Sequence, residues 1–307
     1  MSIPLQSFGR TGLKVSRLCL GTMTFGLQTD EDGARSILDK AVGAGINFID
    51  TADVYPLGGS LDTVGRTEEI LGRWLAAAPG RRQSVVLATK AVGRMGPHPW
   101  DEGASRRHLL DAIDASLRRL GTDHVDLYQL HWDDPSTPLD ETLQALDDIV
   151  RSGRARYVGV SNFLAWRLAK ALGRADLHGW ARPVSVQPRY SLLFREIERE
   201  LLPLAEEEGL AVMPYNPLAG GLLTGKYRLG GEPPPGTRLA HAAEIYSGYL
   251  NEESFAAIEQ LRRSAEARQQ NMAEAALRFV LDTPGVDGPI VAPRTLDQFA
   301  SLGFEAR

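Results

Sequence analysis

Eight short apolar runs, most of them separated by stretches with helical spacing, constrain this chain more than any other feature. The runs are Leu18–Leu20, Ile46–Ile49, Val85–Thr89, Val125–Leu130, Tyr157–Val160, Val184–Val186, Leu210–Met213 and Pro289–Val291. The helical stretches are Asp30–Ala44, Thr63–Ala78, Ser105–Leu120, Pro138–Val150, Phe163–Leu172, Glu196–Glu208, Asn251–Arg268, Ala273–Leu281 and Thr295–Leu302. In the second of these Ile70, Leu71, Trp74 and Leu75 share one face; in the third Leu109, Ile113, Leu117 and Leu120 do, with Ser105 as cap and Gly121 as stop. Alternating βα units put their strands in one parallel sheet, and eight of them predict closure into a (β/α)8 TIM barrel. A doubly wound sheet would carry G-x-G-x-x-G after an early strand, and the sequence has none. Ahead of the barrel, Leu5–Cys19 reads as a β-hairpin turning at Gly9-Arg10-Thr11-Gly12. A Gly/Pro-rich segment runs from Pro214 to about Ser247, but no linker divides the chain, so residues 1–307 are expected to form a single domain.

Composition narrows the function. A formal net charge of −5 gives no basic face for nucleic acid, so no nucleic-acid partner is expected. The single cysteine, Cys19, lies in an apolar run and reads as core. Residues 1–6 lack the basic-then-apolar pattern of a secretory signal, and no apolar run approaches the roughly 18 residues of a membrane span. A cytoplasmic protein without membrane contact is the expectation. Nothing in the sequence sets the oligomeric state.

The chemistry collects at strand ends. The run Ile46–Ile49 ends at Asp50, and Tyr55 follows on the loop. The next two runs stop at Lys90 and at His131. In a parallel barrel the C-terminal ends of the strands build the active site. A phenol near an ammonium has its pKa pulled down, because the cation favours the phenolate. Asp50 could hold that lysine, and His131 could hydrogen-bond a substrate oxygen. On pattern alone Asp50 and Lys90 also make a structural ion pair and His131 a core histidine; their conjunction at successive strand ends favours chemistry. The set suits protonation of a carbonyl oxygen while a cofactor delivers hydride to its carbon. Elsewhere Ser161, Asn162 and Gln187 could bind a planar amide, and Tyr215 could stack on a flat heterocycle. Asn216–Lys226 is a Gly-rich loop suited to phosphate, and Arg294 precedes a last helix whose N-terminus favours an anion.

These stretches resemble the aldo-keto reductases. The resemblance is carried by Gly9–Ser16, Asn47–Tyr55, Leu87–Lys90, Leu127–His131, Gly159–Phe163, Gln187 and Tyr215–Tyr227, in order over nearly the whole chain, and lies nearest the bacterial branch related to potassium-channel β subunits. It implies a (β/α)8 barrel with NADPH across its mouth (NADH being possible), and a tetrad of Asp50, Tyr55, Lys90 and His131 with Tyr55 as general acid. It also implies that Ser161, Asn162 and Gln187 hold the carboxamide and that Tyr215 stacks on the nicotinamide. Asn216, Pro217, Leu218 and Gly220 would line the pyrophosphate beside Lys226, with Arg294 and Gln298 at the adenosine end. Thr22 and Met23, after the first barrel strand, join the cofactor-contacting set. The family often has serine where Asn216 stands and glycine where Ala292 stands, and its tail carries a Glu-Asn pair where this chain reads Ala300-Ser301-Leu302-Gly303. Arg294 favours NADPH, since a guanidinium suits a 2′-phosphate.

Phe25, Trp100 and Trp132, with the loops at Gly93–Gly103 and Arg189-Tyr190, are expected to wall a pocket for a small carbonyl substrate. The expected activity is reduction of aldehydes or ketones. A nicotinamide-binding sensor with slow turnover is the alternative that the channel-subunit relatives suggest. A metal-dependent barrel hydrolase needs clustered histidines at strand ends; only His131 stands at one, so no metal is expected.

Overall fold

A computed structural model of the chain describes residues 3–241 and 243–303. The chain opens with β1 (Leu5–Ser7) antiparallel to β2 (Lys14–Ser16). Then follow β3 (Cys19–Gly21), α1 (Glu31–Gly43), β4 (Phe48–Asp50), α2 (Arg66–Ala76), β5 (Val86–Ala91), α3 (Arg106–Leu120), β6 (Val125–Leu130) and α4 (Leu139–Arg151). The alternation continues through β7 (Ala155–Ser161), α5 (Ala165–His178), β8 (Pro183–Gln187), α6 (Leu201–Glu208) and β9 (Ala211–Val212). Short helices α7 (Arg238–His241) and α8 (Ala243–Tyr246) precede α9 (Glu252–Ala267), α10 (Met272–Leu281), β10 (Ile290–Val291) and α11 (Leu296–Ala300). β3 to β10 form one eight-stranded parallel sheet in the order β10-β3-β4-β5-β6-β7-β8-β9. Hydrogen bonds from Ile290 N to Pro214 O (2.8 Å) and from Asp287 N to Val212 O (3.0 Å) join its two ends, so the sheet closes as the (β/α)8 pattern predicts.

Strand periodicity explains what fills the barrel. Successive side chains alternate between faces. Leu18, Leu20, Ile49, Leu87, Tyr128, Val158, Val186 and Val212 belong to the large cluster packed against the helices. The alternate positions Cys19, Phe48, Val86, Ala88, Leu127, Ala211 and Met213 form a separate apolar cluster. The hairpin plugs that cluster: Phe8 is fully buried and meets Phe48 edge to face at 5.4 Å. Cys19 is therefore a buried free cysteine of the core, as its apolar setting predicts. One position further along, the same inward period turns polar, at Asp50, Lys90, Gln129 and Gln187.

The helices form where caps and stripes predict. Ser105 accepts from His108 N at 3.3 Å, and α3 ends on Gly121 with φ +64°. Two stretches differ: α5 continues to His178 rather than stopping at Leu172, and Glu196–Glu208 is a 3₁₀ turn at Glu196–Glu198 followed by α6. Pro203 supplies the reason for the second. Its ring would clash with the carbonyl of Arg199 in a continuous helix, whereas in the first turn of α6 its missing N–H costs nothing. No helix among the described residues is long and apolar enough to cross a membrane.

Candidate active site

Register sets the polar layer. β4 pairs with β5 so that Asp50 lies opposite Ala88, and β5 pairs with β6 so that Lys90 lies opposite Gln129. Lys90 Nζ donates to Asp50 Oδ2 at 2.5 Å and to the Thr51 carbonyl at 2.8 Å, with both charged side chains almost wholly out of solvent. Asp50 Oδ1 accepts from Gln129 Nε2 and Gln187 Nε2, each at 3.0 Å. Two ions taken out of water cost several kcal/mol each, and only close pairing with further hydrogen bonds offsets that. Burial works against the Lys90 ammonium, but Asp50 and Tyr55 outweigh it and hold its pKa above the ordinary lysine value. By sequence Gln129 is one residue of the Val125–Leu130 strand run. Its place in the layer follows from inward alternation on β6, a signal that was available.

Tyr55 and His131 stand above this pair. The Lys90 ammonium is 5.1 Å from the Tyr55 ring centroid, and the His131 ring meets that ring edge-on at 5.7 Å. Burial pushes the Tyr55 phenol above its ordinary value; the Lys90 ammonium pulls the other way, and Asp50 adds to the rise. The sequence expectation of a depressed phenol pKa is thus corrected for the free protein. Burial outweighs the pull of the Lys90 ammonium. Burial, and then Lys90, drive the His131 pKa well below the ordinary histidine value, so the ring is neutral near pH 7. Its Nδ1 is buried with no hydrogen-bond partner among the described residues.

A cavity of about 570 Å³ opens over these groups, lined by Thr22, Met23, Asp50, Tyr55, His131, Trp132, Ser161, Asn162, Gln187, Tyr215 and Asn216 among others. A second cavity of about 450 Å³ is lined by Pro217, Leu218, Gly220, Lys226, Arg294 and Gln298. Met23, Asn216, Arg238 and Tyr246 line both, so the two form one elongated cleft. Arg238 and Tyr246 went unnoticed in the sequence because they lie in the aperiodic segment after Pro214. Two expected substrate-wall residues lie elsewhere. Phe25 is fully buried in the helix-facing core. Trp100 stacks on His98 at 4.9 Å under the Arg107 guanidinium, outside the cavity wall.

The groups at the near end are already joined to one another. Ser161 Oγ donates to the Gln187 carbonyl (2.8 Å), Asn162 Nδ2 to the His131 carbonyl (2.9 Å), and the Tyr215 hydroxyl to Asn162 Oδ1 (2.9 Å). At the far end the Asn216–Lys226 loop turns on Gly220 and Gly221, at φ +67° and +94°. A Cβ on Gly220 would sit 2.4 Å from the Tyr246 ring, so only glycine lets backbone and ring approach. Gly220 N donates to Asn216 Oδ1 at 2.7 Å. Among the described residues, Lys226, Arg238 and Arg294 line this half with no carboxylate beside them. Burial and then the Arg294 charge lower the Lys226 pKa. Crowded cations and small backbone are the features that could hold a phosphate. α11 is only five residues long, so here Arg294 supplies more than the helix terminus does.

Comparison with known proteins agrees with this geometry. A profile of the Aldo/keto reductase family matches residues 17–302. The chain is 42% identical to the uncharacterized oxidoreductase YrpG of Bacillus subtilis, over 94% of this chain and 87% of that protein. It is 38% identical to protein tas of Escherichia coli, over 94% and 88% of the two chains. It is 35% identical to a "probable voltage-gated potassium channel subunit beta" of Arabidopsis thaliana, over 93% and 85%. With a family profile spanning nearly the whole barrel and acid, phenol, amine and imidazole gathered at one mouth, the chain belongs to the aldo/keto reductase family and is an NAD(P)H-dependent oxidoreductase.

Proposed function

We propose that this protein reduces aldehydes or ketones to alcohols with NADPH, Tyr55 acting as general acid. The observation that carries the reading is a pair of cavities with shared walls, Tyr55 and His131 over the buried Lys90 in one and, among the described residues, three cations without a carboxylate in the other. The chemistry that NADPH would supply when bound is a hydride for the carbonyl carbon. Tyr55 passes its phenolic proton to the carbonyl oxygen as charge develops there. A phenol held above its ordinary pKa by burial is fully protonated at neutral pH and ready to donate. Lys90 stabilises the phenolate left behind, and Asp50 fixes Lys90. His131, neutral, orients the carbonyl oxygen by a hydrogen bond. Ser161, Asn162 and Gln187 would hold the carboxamide, Tyr215 the nicotinamide face, Lys226 the pyrophosphate and Arg294 the 2′-phosphate, which favours NADPH over NADH.

Replacing Tyr55 with Phe should cut kcat by about a hundredfold to ten-thousandfold, the usual contribution of a positioned acid, while NADPH still quenches protein fluorescence. Full activity in Tyr55→Phe would refute the assignment. The likeness to a protein named as a potassium-channel β subunit supports a second reading, a nicotinamide-binding sensor acting on a protein partner. Tight NADPH binding with negligible turnover over a panel of aldehydes and ketones would favour it.

A further inference from the structure

Beyond its phosphate end the cleft holds two more arginines. Arg189 follows Gln187 and Pro188 at the top of β8 and bridges to Tyr215. Its guanidinium lies 5.2, 5.7 and 4.9 Å from the ring centroids of Phe194, Tyr246 and Tyr249, and its Nη2 is buried with no hydrogen-bond partner among the described residues. Arg94, on the loop after β5, gives Nε and Nη2 to the carbonyls of Gly96 and Pro97 at 3.0 and 3.2 Å. Both line the cavity that holds Tyr55 and His131. Among the described residues neither has an ion-pair partner, although Arg119, Arg154, Arg167 and Arg174 are each paired with a carboxylate. The one carboxylate on the cavity wall among the described residues is Asp50, and Lys90, Gln129 and Gln187 already satisfy it.

A protein of net charge −5 thus concentrates unpaired positive charge at its mouth. Lys226 and Arg294 lie in the other half of the cleft, so the phosphates of a dinucleotide do not account for Arg94 and Arg189. Aromatic rings around Arg189 hold its plane and leave the N–H edge to an in-plane acceptor, the approach a carboxylate uses. Leu57, Leu61, Trp132 and Ile245, all exposed, are apolar members of the same cavity wall.

We infer that the substrates of this site are oxo acids: aldehydes or ketones with an apolar or aromatic body and a carboxylate, which Arg189 binds while Arg94 adds to the attracting field. The inference rests on the proposed reductase activity and names its substrate class. Arg189 is on this account a specificity-determining residue.

Matched probes test it. The unaltered protein should turn over 4-carboxybenzaldehyde with kcat/KM about tenfold or more above 4-methylbenzaldehyde, the size of one charge-assisted hydrogen bond. Arg189→Met should lose about tenfold of that preference, mainly in KM, with 4-methylbenzaldehyde and NADPH binding each changed by less than about threefold. Arg189→Lys, which keeps the charge and loses the planar fork, should fall between. No preference in the unaltered protein, equal losses for both aldehydes in Arg189→Met, or a loss of NADPH binding in that variant would each overturn the inference. Calorimetric binding of 4-carboxybenzyl alcohol against 4-methylbenzyl alcohol reads the same contact without turnover. Carboxylate-dependent binding that Arg189→Met abolishes, in a protein reducing neither aldehyde, would uphold the anion contact and refute the reductase reading. No carboxylate-dependent binding would refute the anion contact itself.

Discussion

In the strand layer beneath Tyr55 the buried charges Asp50 and Lys90 are paired with each other; at the Lys226 end the cations of the lining have no carboxylate among the described residues. Asp50 is met by Lys90, Gln129 and Gln187 in a layer whose geometry is set by strand register. Lys226, beside a loop turned by left-handed glycines, and Arg294, between β10 and α11, come close, with no carboxylate among the described lining residues. Proton transfer needs atoms held within a fraction of an ångström, which rigid strands provide. A phosphate site needs only donors and unspent charge, which a loop provides, and the anion itself relieves the repulsion. The comparison teaches that pairing goes with the strand layer under Tyr55 and unpaired cations with the loops that wall the cleft.

Exchange of the two lysines is the strongest way to break that comparison. Lys90→Met leaves the Asp50 carboxylate buried and uncompensated, which should cost about 3–5 kcal/mol of stability and most of kcat. Adding Asp50→Asn should restore much of the stability and none of the activity, since removal of both charges costs less than removal of one. Lys226→Met should leave denaturant stability and kcat near those of the unaltered protein and weaken NADPH by about tenfold. If Lys226→Met unfolds as readily as Lys90→Met, the contrast between paired and unpaired ends is wrong. Gly220→Ala should come next in size. Its Cβ would meet the Tyr246 ring at 2.4 Å in a φ +67° backbone, so Tyr246 must move. We expect about 1–3 kcal/mol of strain and a raised Kd for NADPH by fluorescence, with kcat at saturating NADPH retained.

The same contrast explains what the sequence discloses. The tetrad was legible because short parallel strands end abruptly, and a polar residue after an apolar run marks each end. Asp50, Lys90 and His131 each follow such a run, and α2, α3 and α4 bury the stripes their spacing predicts. The cofactor half was legible only where residue type speaks for itself, at the Gly-rich loop, Lys226 and Arg294. Arg238 and Tyr246 lie on four-residue helices in a segment without period, and Arg238 reaches both cavities through tertiary packing alone. Phe25 and Trp100 misled for a related reason. An aromatic in a strand-end loop points inward or outward according to a turn geometry that no periodicity reports. The phenol pKa was misjudged because the sequence pairs Tyr55 with Lys90 but says nothing of how fully both are buried.

The mildest prediction concerns pH, and it separates the two ends by which kinetic constant moves. Burial raises the Tyr55 pKa above the ordinary 10.0, with Lys90 opposing, so the proton needed for reduction stays in place through neutral pH. Reduction should weaken only in the alkaline range where the phenol ionises, whereas alcohol oxidation with NADP⁺, which needs the phenolate, should speed up as pH rises. Burial and Lys90 hold His131 neutral well below the ordinary 6.5, so no break in kcat is expected there. A 2′-phosphate behaves differently: its second pKa is about 6, and as it gains a proton Arg294 loses part of its partner's charge. KM for NADPH should therefore rise modestly below about pH 6 while kcat stays level, and KM for NADH should show no such rise. A kcat break near pH 6.5 that disappears in His131→Asn would show that the imidazole titrates normally and that the Tyr55 end is less sealed than its pairing indicates.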